Sequence, residues 1–403
     1  MAVTPLTKHR PILLGGGGLY LLLTLAHASN DGFFGMFSAL LPSLQQRFEL
    51  SETTLALLVA TLSVSTSVVQ PLFGALADRL GRRLVSAAGT VLCSSLLSLV
   101  AVAPNLSLLV FVLFAGGLGS AAFHPSGMSL ARMSGGARKG LAVGFFGAGG
   151  ALGMAIGPVV ILYVITHFGV GFSPWLMVPG VLAGVALFVF LPPQARASGR
   201  EVKLFDLQLL TGPVGLLCLA GIFRATSFVT FNSAMPLWLV KSRNFAPDDA
   251  LIGWTLATFT FAAAAGGFLA GGLADRFDRR TLTVGSLLVA LPALFAVFLF
   301  PPGSLAYFVL IALAGLTTNA SLPLLILSGQ DLAPHALATA SGMMMGLSWG
   351  IAGLLYIGIG RLQETLGIST AMGLGYLLLL PATVLVYLVL SRYRSSFSHQ
   401  TPG

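Results

Sequence analysis

The stretch GALADRLGRR, Gly74–Arg83, recurs 197 positions later as GGLADRFDRR, Gly271–Arg280. Other landmarks repeat at nearly the same distance: Pro42 with Pro236, Pro125 with Pro323, and Gly153 with Gly350. Self-similarity at one nearly constant offset is the signature of an internal duplication. The sequence therefore predicts two similar halves joined by a linker.

The composition indicates that both halves lie in a membrane. Of the 403 residues, 56% are hydrophobic and 8% are charged, and the mean hydropathy is +0.93. A soluble domain usually carries roughly a quarter charged residues, so lipid must surround most of this chain. The apolar runs do not alternate, which favours helices over the strands of a membrane barrel.

Twelve apolar runs are long enough to span a bilayer. The predicted spans lie at about 12–41, 53–77, 84–103, 106–131, 140–166, 173–191, 209–240, 250–274, 281–300, 304–330, 337–361 and 367–391. We therefore expect an all-α integral membrane protein of twelve transmembrane helices in two pseudo-symmetric six-helix halves. The halves are 1–191 and 209–403, the second ending in a short cytoplasmic tail, with a basic cytoplasmic linker at 192–208.

The basic residues are distributed unequally between the two sides of the membrane. Four lie on one side: Arg47, Lys241, Arg243 and Arg361. Sixteen lie on the other: Lys8, Arg10, Arg79, Arg82, Arg83, Arg132, Arg138, Lys139, Arg196, Arg200, Lys203, Arg276, Arg279, Arg280, Arg392 and Arg394. Cytoplasmic loops carry the excess of Lys and Arg, so both termini are predicted to be cytoplasmic, with the protein in the cell inner (cytoplasmic) membrane. Topology thus explains the net charge of +9 without a nucleic-acid partner.

Span 1 carries polar residues within an otherwise apolar helix. Tyr20, Thr24, His27, Asp31 and Ser38 fall on one helical stripe, which predicts that they line a water-filled cavity. Ionisable groups at this depth are costly and are functional candidates. Asp31 is predicted to carry a coupled proton, aided by His27. The alternative is a purely structural pair within span 1.

Arg224 is the basic residue that remains, in the middle of span 7. It occupies the position that corresponds to Asn30, next to the counterpart of Asp31, so we expect Arg224 and Asp31 to face each other across the cavity. A guanidinium binds carboxylate or phosphonate groups, which favours an anionic substrate. A fixed ion pair with Asp31 remains the alternative. Further candidates for the substrate cavity are Tyr20, Thr24, Asn30, Asn232 and Asn319.

The repeated motif also resembles a known family. The pattern Gly-x-x-x-Asp-Arg-x-Gly-Arg-Arg is the signature of the major facilitator superfamily of transporters. Three stretches are most similar to the fosmidomycin-resistance-type exporters of that superfamily: HASNDGFFGMFSALLP in span 1, AAFHPSGMSLA at Ala121–Ala131, and the glycine-rich run Gly144–Pro158.

The resemblance implies roles for particular residues. It implies a gating motif made of Gly74, Asp78, Arg79, Gly81, Arg82 and Arg83, with a second copy that includes Asp275 and Arg276. Asp78 would meet the start of span 11 near Leu337, and Asp275 the start of span 5 near Leu141. Asp278 departs from the pattern, because it replaces the motif glycine.

Two further roles follow from the resemblance. His124, beside Pro125, would take part in proton coupling, and the alternative is a hydrogen bond between helices. Gly144, Gly153, Gly157 and Pro158 match the glycine spacing of an antiporter signature, which lacks its last two glycines here. Ordinary packing of small residues between helices explains the same spacing equally well.

These observations predict proton-coupled efflux of a small anionic or amphipathic compound by alternating access. The alternatives are proton-coupled uptake of a nutrient or metal–ligand complex, and a non-transport role as a membrane sensor or assembly factor. No enzyme activity, cofactor or ATP is expected, because no nucleophile–base pair or nucleotide motif is present. No metal site is expected either, since Cys93 and Cys218 lack ligand spacing and Met343–Met345 are interpreted as packing. The expected partners are the substrate, protons and lipid, with the protein a monomer.

Overall fold

The structure, a computed structural model, describes residues 16–134, 139–191, 207–274, 276–334 and 336–393. Within these ranges the regular structure is helical and contains no strand. The predicted linker at 192–208 lies outside them except for its last two residues, so the predicted domain boundaries remain predictions.

The first half contains six spans. They are built from α1 (Gly16–Phe48), α2 (Glu52–Ser67) with α3 (Gln70–Leu80), α4 (Arg82–Leu97) with the 3-10 turn Val100–Val102, α5 (Leu106–Ser134), α6 (Lys139–Phe168), and the 3-10 segment Val170–Leu176 with α7 (Met177–Phe190).

The second half repeats this order after the short helix α8 (Leu207–Thr211). Its spans 7 to 12 are α9 (Pro213–Arg243), α10 (Ala250–Leu273), α11 (Arg279–Ala296) with the turn Val297–Leu299, α12 (Leu305–Leu332), α13 (Leu337–Gly342) continuing through the π-helical Met343–Leu347 into α14 (Ser348–Leu366), and α15 (Ile368–Leu377) with α16 (Leu379–Arg392).

The predicted membrane-spanning fold is confirmed. Eleven helices of the described ranges are long and apolar enough to cross a bilayer. The twelfth is α1, whose 33 residues are also long enough, although its polar residues lower its hydropathy. Its end at Phe48 lies seven residues beyond the predicted end of span 1. There the Arg47 Nη1 donates to the Ala101 carbonyl at 2.6 Å, which anchors the last turn against span 3.

The loop motif turns the chain sharply between spans 2 and 3. Gly81 has φ of +101°, a conformation that favours glycine, and it joins α3 directly to α4. In the second copy, Asp278 instead caps α11 by accepting from the Thr281 backbone N–H at 3.1 Å. The departure from the motif therefore supplies a helix cap in place of a glycine turn.

Spans 1 and 5 approach each other through small residues. A Cβ on Gly153 would lie 2.0 Å from the Ala28 carbonyl oxygen, and a Cβ on Gly157 would lie 2.2 Å from that of Gly32. Gly35 faces the Met154 carbonyl at 2.3 Å in the same way. Because no side chain fits between the two backbones, this seam fixes span 1 against span 5.

The two halves are held together at one end of the bundle, the end that carries Arg47, which we call the Arg47 face. Lys241 forms an ion pair with Glu52, and the Thr53 N–H donates to Glu364 Oε1 at 2.9 Å. Below them, a Cβ on Gly353 would lie 2.4 Å from the Ser63 Cβ.

The opposite end, which carries Gly81 and Arg279 and which we call the motif face, is more loosely packed. A Cβ on Gly144 or Gly147 at the start of α6 would have no described neighbour within 4 Å, and the same holds for Gly342 of α13 and Gly272 of α10. Among the described residues, the ion pair and the hydrogen bond that join the halves therefore lie at the Arg47 face.

Gly153→Ala should destabilise the protein, because its methyl group would overlap the Ala28 carbonyl. Overpacking of this kind costs about 1–3 kcal/mol. The measurement is the Tm of purified protein in detergent, with Gly144→Ala as the matched control, since a Cβ there meets open space. Equal Tm values for the two variants would contradict the seam.

Candidate functional site

Three ionisable side chains meet where spans 1 and 4 cross. The His27 Nε2 lies 3.1 Å from Asp31 Oδ2, and the His124 Nε2 lies 3.1 Å from Asp31 Oδ1. The two Nε2 atoms are 3.3 Å apart. His27 and Asp31 are buried, while 26% of the His124 side chain is exposed. We call these three residues the triad.

The surroundings of the triad determine which nitrogens carry hydrogen. The His27 Nδ1 lies 2.6 Å from the Phe146 carbonyl oxygen, and the His124 Nδ1 lies 2.8 Å from the Ser120 carbonyl oxygen. A carbonyl oxygen can only accept, so both Nδ1 atoms donate. In the neutral form of each ring, Nε2 then presents a lone pair toward Asp31.

This arrangement requires a cation. With both rings neutral and Asp31 ionised, three electron-rich groups would face one another with no hydrogen between them. One added proton on either Nε2 creates a charge-assisted hydrogen bond to the carboxylate and leaves the triad without net charge. The triad is thus built to hold a positive charge below the membrane surface.

Residues of span 5 pack closely against the triad. The His27 ring stacks on Phe146, with ring centroids 4.1 Å apart. A Cβ on Gly150 would lie 2.5 Å from His27 Nε2 and 2.6 Å from Asp31 Oδ2. Gly150 therefore leaves room for the triad, because the side chain of any other residue would occupy this space.

Arg224 forms a second polar site, in span 7. Its side chain is fully buried, and its Nη1 donates to Asn319 Oδ1 at 2.9 Å. Asn319 is itself held by the Ala263 carbonyl, 3.0 Å from its Nδ2. The guanidinium carbon lies 5.2 Å from the centre of the Trp349 ring, a cation–π contact.

Several buried polar atoms near this depth lack a partner among the described residues. The Arg224 Nε and Nη2 atoms make no hydrogen bond, and neither does either amide atom of Asn30, which is fully buried. Buried polar groups are nearly always paired, so each exception requires an explanation. These atoms offer donors and an acceptor to a polar ligand.

The alternative of a fixed ion pair between Arg224 and Asp31 is not found in this structure. Both carboxylate oxygens of Asp31 face histidines, while Arg224 is bound to Asn319. His27 lies one helical turn from Asp31 on the same helix, and His124 reaches Asp31 from the crossing helix α5.

The other predicted cavity residues have different surroundings. The Tyr20 hydroxyl donates to the Ser134 carbonyl at 2.7 Å, and the Thr24 hydroxyl donates to the Tyr20 carbonyl at 2.8 Å. Both hydroxyls are therefore engaged in helix packing. Asn232 donates to the Phe228 carbonyl and accepts from Thr260.

The gating motif lies at the motif face. Asp78 accepts from Arg82 Nη2 at 2.7 Å, and 43% of the Asp78 side chain is exposed. This partner belongs to the same half, so in this structure the Asp78 carboxylate is paired within the motif. Leu337 and Leu141 start helices there, but their side chains are outside the described parts.

The remaining motif residues are placed as follows. Gly74 packs near Pro125, Arg83 Nη1 donates to the Leu191 carbonyl at 3.2 Å, and Arg79 and Arg276 are exposed. Asp275 lies outside the described residues.

Sequence reasoning missed four contributors to these sites. Ser120 and Phe146 contribute their backbone carbonyls. Every residue has such a carbonyl, so the sequence does not distinguish these two positions. The sequence singled out Gly144 and not Gly150, although a Cβ on Gly144 would have no described neighbour within 4 Å. Trp349 follows the π-helical segment Met343–Leu347, whose extra residue per turn changes the direction of the side chains after it.

Comparisons with known proteins agree with the repeated architecture. The family model described as Major Facilitator Superfamily matches residues 23–357 and 217–402. The uncharacterized MFS-type transporter YfnC of Bacillus subtilis (strain 168) is 29% identical over 92% of this chain and 93% of its own length. The Fosmidomycin resistance protein of Escherichia coli (strain K12) is 26% identical over 84% of each chain.

A solved structure has a similar fold. The bacterial homolog of the human lysosomal transporter Spinster, in an inward-facing and occupied conformation, gives a TM-score of 0.71 at 17% identity. The match covers 96% of this chain and 99% of that chain. At this identity the likeness concerns the fold alone.

Asn319→Leu should destabilise the protein, because it removes the acceptor of a buried guanidinium. A hydrogen bond to a charged group contributes about 1.5–3 kcal/mol. The Tm in detergent should fall well below that of Asn232→Leu, the matched control whose amide serves neutral partners. A fall of equal size in both variants would argue against a special role for Asn319.

Proposed function

The chain belongs to the major facilitator superfamily, as its motifs predicted, and from its two polar sites we propose that it exports a small anionic or amphipathic compound in exchange for protons. It is a transporter and not an enzyme. The observation that carries the proposal is the triad, a buried group of side chains that requires a positive charge and has one partly exposed member.

The triad acts as the proton-coupling site. Without an added proton it has one net negative charge, and with one proton it is neutral. A net charge inside a membrane is costly, so the protonated and deprotonated triads favour different access to water. The exposed edge of His124 provides a path for the proton to enter and leave.

Arg224 acts as the substrate site. Its free Nε and Nη2 donors suit a carboxylate or phosphonate group, and the Trp349 ring beside it suits an apolar part of the same molecule. Asn30 offers further hydrogen bonds from the first half. A ligand held by Arg224 and Asn30 would contact both halves at once, which is what alternating access requires.

The sidedness follows from the basic residues. The motif face carries most of the Lys and Arg and is therefore proposed to be cytoplasmic. The Arg47 face then faces outward and is closed by the contacts of Glu52 and Glu364. Closure on this side is the arrangement in which an exporter takes up its substrate from the cytoplasm.

Efflux rather than uptake is supported by a relative. The Fosmidomycin resistance protein is similar to this chain over most of its length, and export is one way in which a transporter confers resistance. The same residues would serve uptake, so the direction of proton flow is the property that separates the two functions.

A pH gradient across proteoliposomes should drive fosmidomycin, the compound named in that relative, into the more acidic compartment. Exchange moves substrate against the proton flow, whereas proton-coupled uptake would concentrate it in the more alkaline compartment. If fosmidomycin is not carried, the same assay is applied to a panel of antibiotics and metabolites. Accumulation of the carried compound in the alkaline compartment would refute exchange.

Asp31→Asn should abolish this pH-driven accumulation and spare the exchange of labelled for unlabelled substrate, which needs no net proton movement. Asp248→Asn is the control, since this aspartate lies in the loop before α10, outside the membrane. If Asp31→Asn still accumulates substrate in response to a pH gradient, the triad is not the coupling site.

Asp78→Asn should weaken closure of the motif face and lower transport, because the resemblance places the charge of Asp78 against span 11 in the closed state. Maleimide labelling of Gly144→Cys reports this closure, since Gly144 is exposed at the start of α6 and the native Cys93 and Cys218 are buried. Labelling should rise in Asp78→Asn and stay near wild type in Asp78→Glu. Identical labelling in all three proteins would contradict the gating role.

A further inference from the structure

We propose that His27, Asp31 and His124 also bind a divalent transition-metal ion of the Zn²⁺ class. The three side chains offer two imidazole nitrogens and a carboxylate, with ligand atoms that all lie within 4.8 Å of one another. The sequence suggested no metal site, because His124 is 97 positions away from His27 and only the fold brings them together.

The spacing of the two histidine nitrogens fits tetrahedral coordination. Ligands bound at about 2.0–2.1 Å to a tetrahedral ion lie about 3.3 Å from one another, and the two Nε2 atoms are 3.3 Å apart. The His27 Nε2 lies 3.1 Å from Asp31 Oδ2 and the His124 Nε2 lies 3.1 Å from Asp31 Oδ1. Because the histidines face different carboxylate oxygens, one of these oxygens must move toward the ion for all three residues to bind it.

The groups behind the histidines are those that metal sites use. A metal-bound histidine usually donates its other ring N–H to a carbonyl or carboxylate, which fixes the ring and aims the free nitrogen at the metal. Phe146 and Ser120 provide these carbonyls, at 2.6 Å and 2.8 Å from the two Nδ1 atoms. Both Nε2 atoms are consequently available as ligands, each 3.1 Å from one oxygen of the Asp31 carboxylate.

Gly150 of span 5 places no side chain beside the triad. Span 5 passes the triad at Gly150, where a Cβ would lie 2.5–2.6 Å from His27 Nε2 and Asp31 Oδ2. A side chain at this position would compete with an ion for the same volume. The partial exposure of His124 leaves an entry path from water.

The ligand chemistry selects the class of metal. Imidazole suits Zn²⁺, Co²⁺ and Ni²⁺, whereas Mg²⁺ and Ca²⁺ prefer oxygen ligands. Three protein ligands leave one position of a tetrahedral ion for water or for a group of the transported compound.

The inference deepens the proposed coupling site, but metal binding does not depend on transport. The same three atoms cannot hold a metal ion and a coupled proton together, so an occupied site would be closed to proton exchange. A protein that binds Zn²⁺ without transporting anything would refute only the proposed function. A proton-coupled transporter that binds no Zn²⁺ would refute only this inference.

The test is equilibrium dialysis of the full-length protein in detergent, without a histidine tag, against radioactive Zn²⁺ at fixed pH. Wild type should bind about one Zn²⁺ per chain, and excess Mg²⁺ should not displace it. Asp31→Asn and His124→Gln should each weaken binding by at least about 100-fold, more than the loss of a supporting group produces. His167→Gln is the control, since His167 is exposed at the far end of span 5.

Co²⁺ provides a second measurement that needs no variant. Wild type loaded with Co²⁺ should show the strong visible absorption of a four-coordinate ion, which Zn²⁺ abolishes. The proposal is overturned if wild type binds no Zn²⁺, if Asp31→Asn and His124→Gln bind it as tightly as wild type, or if bound Co²⁺ has the weak spectrum of an octahedral ion.

Discussion

Lipid gives two apolar helices no hydrophobic reason to associate, so the contact between spans 1 and 5 depends on close packing of their backbones. Small residues permit it: Gly153 lies against Ala28, and Gly157 against Gly32. The same seam places the Phe146 carbonyl beside His27. The polar site of the first half is thus a consequence of glycines that carry no chemistry of their own.

The duplication has produced two halves with similar folds and different chemistry. The positions that correspond to His27 and His124 in the second half are Gly221 and Leu322, so the triad has no counterpart there. Conversely, Arg224 corresponds to Asn30, a neutral residue. One half therefore holds the triad and the other holds the fixed cation of Arg224. In the proposed alternating access, a rocking motion of the halves would change the relative positions of the two.

The sequence was sufficient to predict the twelve spans, the duplication and the pairing of His27 with Asp31, because hydropathy and helical periodicity are local properties. It did not predict the partner of Arg224. Whether Asp31 or Asn319 is that partner depends on how three helices pack, and the sequence predicts both residues for the same cavity. The sequence did not predict that Trp349 lies beside Arg224 for a related reason, since the π-helical turn before it alters the face on which its ring lies.

The contacts that close the Arg47 face differ in kind from those of the triad. The Lys241 side chain is 38% exposed in its pair with Glu52, which joins the two halves. Such attractions fade as dissolved ions accumulate, since the screening length falls from about 8 Å at physiological ionic strength to about 3 Å at 1 M. The buried triad is largely shielded from this effect. The salinity of the medium would thus bias which face of the bundle is open, independently of the proton gradient.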